Sequence, residues 1–423
     1  MPYPKEELLH HIWQHRLFSQ NGLKTTDGLD LKVVASGELN LNAGPDFHRA
    51  RILIDGIEWA GNVEIHVRSS DWLKHHHQNN KAYSNIILHV VFEDDLSESL
   101  GAFPTLEIGP AISNQILSRY ESLIGTKAEL ACGNQFAQVP DLIRYSWLDA
   151  LLIERLKRKT EWLHQMQSAV HGDQEQLFQI ALFRAFGMKV NAVPFELLAM
   201  TIPWKTLAKY KDNLFQLEAI LFGKAGFLNF PEEDYQKALS KEYDFIKNKH
   251  GGEGMNVDLW KFARMHPKNF PTLRIAQLAA LFHATGQFLP WFANRSADET
   301  VNGLMVKPSE YWQSHYRFGK EFPTKGNRIG KEMGRNILIN ALVPFYFVLA
   351  HRQAKPELQD KAMQILEQLK PERNAKTKVF ENVGFKPANA AESQALIELK
   401  TNYCDHKKCL NCSIGANILK RDL

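Results

Sequence analysis

The chain has 423 residues, of which 44% are hydrophobic and 23% are charged, and its formal net charge at pH 7 is +4. These values are typical of a folded globular protein rather than a disordered one, and so small a charge permits an anionic partner such as nucleic acid without requiring it. The length predicts two or three domains.

The first third of the chain is predicted to combine helices and strands. Helical spacing of apolar residues indicates an opening helix from Lys5 to Phe18. Turn signals follow at Asp27-Gly28 and Asp55-Gly56, the second between two runs with strand character. The stretch "SDWLKHHHQNNKAYSN" can form a helix, and the apolar run "IILHVVF" fits a buried central strand.

From about Ala111 onward the spacing of apolar residues is helical, so we expect an α/β domain over residues 1–125 and a mainly α-helical domain over 126–400. The cysteine-rich end, 401–423, is expected to pack on the helical domain. The most hydrophobic stretch, Asn336 to Ala350, is too short for a membrane span and contains Pro344, which favours a buried helix.

The hairpin around Asp55-Gly56 concentrates polar side chains that suit metal chemistry. Side chains alternate along "NVEIHV", so Glu64 and His66 share a polar face. A two-residue turn would pair Phe47 with Glu64 and leave Asp46 on the opposite face. One bulged residue, expected near Gly61, would bring Asp46 beside Glu64 and His66.

Two carboxylates converging on one point suit Mg²⁺ or Mn²⁺, which activate water and stabilise charge on a phosphate. The residues "GPDF" and, eighteen positions after Asp46, "VEIH" resemble the motif of the PD-(D/E)XK nuclease superfamily. This resemblance implies an αβββαβ restriction-endonuclease-like core, with Asp46 and Glu64 as metal ligands and Glu7 or Glu6 in support. His66 stands at the position of the family's lysine, where it would position or activate water but would not supply a permanent charge.

The whole chain is also similar to an uncharacterised bacterial family of unknown function, which brings no activity with it. The phrases that carry this likeness are "NAGPDF", "GNVEIHVRSSDW", "NIILHVV", "NFPTLRIAQLA" and "YCDHKKCLNCSIG".

Further histidines leave a second interpretation of the site open. His75, His76 and His77 lie on the expected helix and His89 on the next strand, and with His66 they would offer nitrogen ligands to a transition metal. Consecutive helical residues point in different directions, so only one of the three is expected to join a site. This alternative, a histidine-based hydrolase or cupin-like domain, requires His66 and His89 to converge in an all-β domain without flanking helices.

The C-terminal cysteines form the strongest local motif. Cys404, Cys409 and Cys412 are spaced C-x₄-C-x₂-C, a spacing that lets thiolates converge on one metal. The fourth ligand would be Cys132 or, locally, His406. Four cysteines suit Zn²⁺ or an iron–sulphur cluster, whereas three with a histidine favour zinc. With three of its four cysteines clustered and no signal-peptide run at the N-terminus, the chain is expected to be cytoplasmic.

Together these patterns predict a Mg²⁺-dependent nuclease, or a degenerate relative that binds DNA or RNA. Phosphate contacts would come from a basic helical run consisting of Arg155, Lys157, Arg158 and Lys159. The alternative for that run is a solvated helix face. The alternative for the protein is a non-enzymatic binding or scaffold module with a structural metal.

Overall fold

The computed structural model describes residues 3–96, 103–293, 295–323 and 326–421. The chain divides into two compact units. The first consists of Met1–Leu148, Val379–Phe385 and Leu399–Leu423, and the second of Asp149–Lys378 and Lys386–Glu398. The expected order, an α/β part followed by a mainly helical part, is confirmed.

The N-terminal elements include both helices and strands. In chain order they are α1 (Glu6–Gln14), β1 (Leu31–Ala35), β2 (Glu38–Leu39), β3 (Phe47–Ile54), β4 (Ile57–Arg68), α2 (Asp71–Lys74), β5 (Ile86–Glu93), β6 (Thr105–Glu107), α3 (Asn114–Gly125), α4 (Gly133–Phe136) and α5 (Asp141–Ala169).

The later elements are almost all helices. They are α6 (Gln174–Phe186), α7 (Ala192–Thr201), α8 (Trp204–Lys209), α9 (Leu214–Lys224), α10 (Asp234–His250), α11 (Pro271–Thr285), α12 (Phe288–Ala293), α13 (Ala297–Gly303), α14 (Glu310–Ser314), β7 (His315–Arg317), β8 (Lys320–Glu321), α15 (Lys331–Ile337), α16 (Val343–Gln353), α17 (Pro356–Gln368), α18 (Ala375–Glu381), α19 (Ala390–Glu398) and α20 (Ser413–Lys420).

The sheet of the first unit is mixed. Its strand order is β1-β3-β4-β5-β6, with β2 paired to β3. The pairs β1/β3 and β3/β4 are antiparallel, whereas β4/β5 and β5/β6 are parallel. Strand β5 is buried from Ile86 to Val91, as its apolar run predicted. Helix α1 buries Leu8, Ile12 and Trp13 on one side, which leaves its polar side free for other contacts.

The hairpin contains the expected bulge, but in a different place. Ile54 pairs with Ile57 as predicted, and Ala50 pairs with Gly61. The register then shifts, so that Phe47 pairs with Val63. The extra residue therefore lies between Phe47 and Ala50, where Arg49 has a left-handed φ of 57°. The prediction of a bulge at Gly61 was wrong.

Gly61 is required for close packing instead. A Cβ atom there would lie 2.4 Å from Cγ2 of Ile87 and 2.8 Å from the carbonyl oxygen of Asn85. We expect Gly61→Ala to lower the free energy of unfolding by about 1–3 kcal/mol, because neither neighbour can move freely. Thermal unfolding should show a lower Tm, whereas the control Gly125→Ala, with no atom within 4 Å of the added carbon, should not. Equal melting temperatures would contradict this packing role.

The second unit is built around buried apolar helices. Residues Lys331–Gln353 form one continuous 23-residue helical stretch that is long and apolar enough to cross a membrane. However, 78% of its most apolar window is buried inside the protein, as in the core helix of a globular unit. The centre of this stretch, Leu338–Leu342, is a π-helical turn.

Glu218 is a buried carboxyl group in the second unit. It is fully buried and accepts a hydrogen bond from the hydroxyl of Tyr235. Burial raises its pKa from 4.5 to about 7, although hydrogen bonds from Tyr235 and Ser309 act in the opposite direction.

This shift makes the stability of the second unit depend on pH. Because the pKa of Glu218 is raised in the folded state, this group binds its proton more tightly there than in the unfolded chain. Its contribution to the free energy of unfolding is therefore complete below pH 4.5 and is lost as the pH rises through about 7. Glu218→Gln stays neutral, so its Tm should exceed that of the wild type at pH 8, by the equivalent of about 3 kcal/mol at most. The difference should disappear near pH 4.5 in thermal melts across pH. A difference independent of pH would contradict the assignment.

Candidate metal centre

The bulge brings Asp46 and Glu64 together. Continuing the register of Phe47 and Val63 by one residue places Asp46 opposite Glu64. The backbone N–H of Asp46 donates to Oε2 of Glu64 at 3.1 Å, and the N–H of Ile65 donates to Oδ2 of Asp46 at 2.8 Å. Glu64 is only 4% exposed. Each carboxylate is thus held by a backbone N–H, that of Asp46 by Ile65 and that of Glu64 by Asp46.

Helix α1 places a histidine and a carboxylate beside Asp46. Nε2 of His10 lies 3.3 Å from Oδ2 of Asp46 and 3.8 Å from Oε1 of Glu6. Ligand atoms of Glu6, His10 and Asp46 all lie within 4.8 Å of one another. Of the two acids considered on this helix, Glu6 therefore faces Asp46, and Glu7 is exposed. His10 was not predicted, although its four-residue spacing from Glu6 places both on one helix face.

The histidine run does not form the expected helix. Helix α2 ends at Lys74, and His76 adopts a left-handed conformation with φ 57°. This turn lets His75 and His77 both face His66, so the expectation that only one of the three could join a site was wrong. Ligand atoms of His66, His75 and His77 lie within 4.8 Å of one another.

His66 and His89 converge, as the histidine-based alternative required. Nδ1 of His66 lies 2.9 Å from Nε2 of His89, and both rings are buried. The cupin-like part of that alternative is wrong, because α1 and α3 belong to the same unit as the sheet.

Burial controls the protonation of this centre. It raises the pKa of Glu64 to about 9, with a further contribution from the charge of Asp46. It lowers the pKa of His66 to about 2 and that of His89 to about 4. Burial also acts to lower the pKa of His10, but the close contact of its Nε2 with Asp46 and the charges of Asp46 and Glu6 outweigh that effect and raise it.

A cleft of about 430 Å³ opens beside the histidines. Its walls combine aromatic side chains with amides, a histidine and a lysine: Trp72, His77, Asn79, Asn80, Lys81, Tyr83 and Phe103. His77 lines this cleft and its Nε2 lies 3.2 Å from Oε1 of Glu64, so the cleft borders the centre at this side chain.

The four cysteines meet in the first unit. Cys132, Cys404, Cys409 and Cys412 line one small pocket, and none forms a disulfide. His406 is exposed and does not line it, which favours Cys132 as the fourth ligand. Burial raises the pKa of Cys132 to about 12 and that of Cys409 to about 11, so these thiols stay protonated unless a cation binds.

The C-terminal segment belongs to the first unit, which also includes residues 126–148 of the range expected for the helical domain. Helix α20 packs against α3, and Nζ of Lys407 donates to the carbonyl oxygen of Thr126 at 2.8 Å. Among the described residues, the ligand sets whose atoms all lie within 4.8 Å of one another contain no cysteine. Four cysteines suit either Zn²⁺ or an iron–sulphur cluster.

The predicted phosphate-binding run lies in the second unit and is largely engaged there. Arg155 and Arg158 form ion pairs with the fully buried Glu398. Nζ of Lys159 donates to Oδ1 of Asn340 at 2.7 Å, and burial lowers its pKa to about 7. Lys157 is exposed. Three of the four side chains thus have polar partners within their own unit, and Arg158 is exposed like Lys157.

The fold and the site define a protein with an α/β unit that carries a histidine- and carboxylate-rich candidate metal centre. The chain belongs to the family described as "Protein of unknown function (DUF2851)", whose model matches residues 6–375. This range includes the residues of both candidate ligand sets, and it ends before the three C-terminal cysteines. No curated protein and no solved structure matches the chain.

Proposed function

We propose that this protein is a divalent-metal-dependent hydrolase that cleaves phosphodiester bonds in nucleic acid. The observation that carries the proposal is the bulge at His48 and Arg49, which sets Asp46 opposite Glu64 on neighbouring strands. Without this extra residue the two carboxylates would lie on opposite faces of the sheet.

The side chains around Asp46 fit a divalent cation. Asp46 and Glu6 offer the oxygen donors that Mg²⁺ and Mn²⁺ prefer, and His10 offers a nitrogen, all within 4.8 Å of one another. Glu64, which accepts the N–H of Asp46, lies next to this set. Among the described residues, Nε2 of His10 is buried and has no hydrogen bond of normal geometry. Such a cation would activate a water molecule and stabilise the charge that develops on the phosphate.

The chain's own residues would orient the reactants. The N–H of Ile65 fixes the carboxylate of Asp46, and the N–H of Asp46 fixes that of Glu64, so neither ligand is free to rotate. His66 has too low a pKa to be an effective general base at neutral pH. We therefore assign it a positioning role, in place of the base or the lysine-like charge.

The order of elements supports a nucleic-acid substrate. A helix, an antiparallel hairpin, a short helix and a parallel strand follow one another, as the resemblance to the PD-(D/E)XK superfamily implies. The adjacent cleft contains aromatic rings on which a base could stack and Lys81, which could contact a phosphate.

The test is cleavage by the full chain after its metals have been removed with a chelator. End-labelled single- and double-stranded DNA and RNA would be incubated with the protein and with Mg²⁺ or Mn²⁺. We expect cleavage of at least one substrate, abolished in Asp46→Asn and retained in Glu58→Gln, an exposed acid on the same strand as Glu64.

A non-catalytic scaffold with a structural metal is the second candidate, because Glu64 and His66 are only 4% and 1% exposed. Metal binding that raises the Tm without cleavage of any substrate would overturn the hydrolase proposal and favour this candidate.

A further inference from the structure

We propose that the histidines of the first unit form a transition-metal site of their own. Its nitrogen ligands are His66, His75 and His77. Oε1 of Glu64 completes the set, while Oε2 of the same carboxylate faces Asp46. Glu64 would thus offer one oxygen to the histidine site and place the other beside the oxygen-rich site around Asp46.

The distances among the histidines are close to the edges of a coordination polyhedron. Nε2 of His66 lies 3.2 Å from Nδ1 of His75, and the ligand atoms of His66, His75 and His77 all lie within 4.8 Å of one another. Ligands bonded at about 2.1 Å to a tetrahedral ion are about 3.4 Å apart, so three nitrogens so arranged can close on one ion. Oε1 of Glu64 lies beside two of them, 3.7 Å from Nε2 of His66 and 3.2 Å from Nε2 of His77.

One of the proposed ligand atoms has no hydrogen-bond partner. Among the described residues, Nε2 of His77 is buried and has no hydrogen-bond partner, although Oε1 of Glu64 is 3.2 Å away. A contact that is close but poorly aligned for a hydrogen bond is expected of two ligands that point at a common ion.

His89 would act as a positioning residue behind the site. A histidine that binds a metal through Nε2 carries its proton on Nδ1. Nδ1 of His66 could donate that proton to Nε2 of His89, which lies 2.9 Å away. Such an outer hydrogen bond fixes the tautomer and the ring orientation of a metal ligand.

The donor set selects the class of metal. Three imidazole nitrogens and one carboxylate oxygen suit Zn²⁺, Fe²⁺, Co²⁺ or Ni²⁺ and disfavour Mg²⁺ and Ca²⁺, which take oxygen ligands. Metal binding at this site does not depend on the hydrolase proposal, and it can be measured without activity.

The experiment compares metal binding by the full chain with that of two ligand variants and one control variant. His75→Ala and His77→Ala each remove one ligand, whereas the control His76→Asn changes the exposed residue between them. Asparagine tolerates the left-handed conformation of His76, so the turn should be retained. Zn²⁺ would be titrated into metal-stripped protein by calorimetry, and X-ray absorption at the zinc edge would identify the ligand atoms.

We expect wild type and His76→Asn to bind one Zn²⁺ through nitrogen and oxygen, with the signature of several imidazoles. That signature is distinct from any zinc at the cysteines, where sulfur is the ligand at about 2.3 Å. Each ligand variant should weaken this binding at least tenfold, the lower end of what loss of even a supporting partner causes. Equal affinity in all four proteins, or zinc bound through sulfur alone, would overturn the inference. Imidazole-bound zinc in a protein that cleaves no phosphodiester would sustain it and overturn only the hydrolase proposal.

Discussion

Glu64→Gln should abolish metal-dependent cleavage while leaving the protein folded. The amide retains an oxygen that can accept the N–H of Asp46, so the hairpin should keep its shape. It removes the charge that holds the cation, and with it the stabilisation of the transition state. Loss of such an electrostatic contribution costs about 10²–10³-fold in rate, and loss of the metal itself would cost more.

The melting temperature of this variant provides the control for folding. A carboxylate that is 4% exposed is costly to keep ionised without a cation, so metal-free Glu64→Gln should melt at the same temperature as the wild type or higher. Added Mn²⁺ should stabilise the wild type more than the variant. Cleavage by Glu64→Gln at the wild-type rate, with Glu58→Gln as the matched acid on the same strand, would rule out the proposed role of this residue.

Loss of one cysteine ligand should produce the largest effect on stability. Cys409→Ser removes a sulfur from a pocket in which two segments of the chain meet, one at Cys132 and the other from Cys404 to Cys412. Structural metal sites in small peptides contribute roughly 10–16 kcal/mol of binding free energy, which is also folding free energy. We expect the variant to lose its metal and to melt at a much lower temperature, whereas His406→Ala should retain both.

Absorbance and elemental analysis of the purified protein would identify the metal. An iron–sulphur cluster would give absorbance at about 400 nm, iron and acid-labile sulfide, all absent from Cys409→Ser. Zinc alone, without that absorbance, would contradict the cluster. Unchanged metal content and Tm in Cys409→Ser would contradict a metal site of either kind.

Local features of the hairpin could be predicted from the sequence. Asp55-Gly56 sets a two-residue turn, and alternation along β4 puts Glu64 and His66 on one face, because both depend on neighbouring residues only. The position of the bulge could not be predicted, since nothing in the sequence marks Arg49 for a left-handed conformation. Gly61 suggested a bulge, but the reason for a glycine there is contact with Ile87, which is distant in sequence.

The approach of both His75 and His77 to His66 could not be predicted for a similar reason. A regular helix would have separated His75, His76 and His77, and the break at His76 is what aligns the outer two. His10 was not predicted, because its approach to Asp46 joins α1 to a residue more than thirty positions away in the chain. Arg155 and Arg158 were considered as surface charges, because their partner, Glu398, is more than 200 residues away in the chain. In each case the deciding contact is tertiary, and propensity and periodicity do not report it.

The most direct measurement is the location of the bound ion. Crystals of the full chain grown with Mn²⁺ would be measured at the manganese absorption edge, and an anomalous difference map would be calculated. We expect a peak within about 2.2 Å of carboxylate oxygens from both Asp46 and Glu64. Manganese bound only elsewhere, with Asp46 and Glu64 held by backbone N–H groups alone, would contradict the proposal that these two residues form the catalytic metal site.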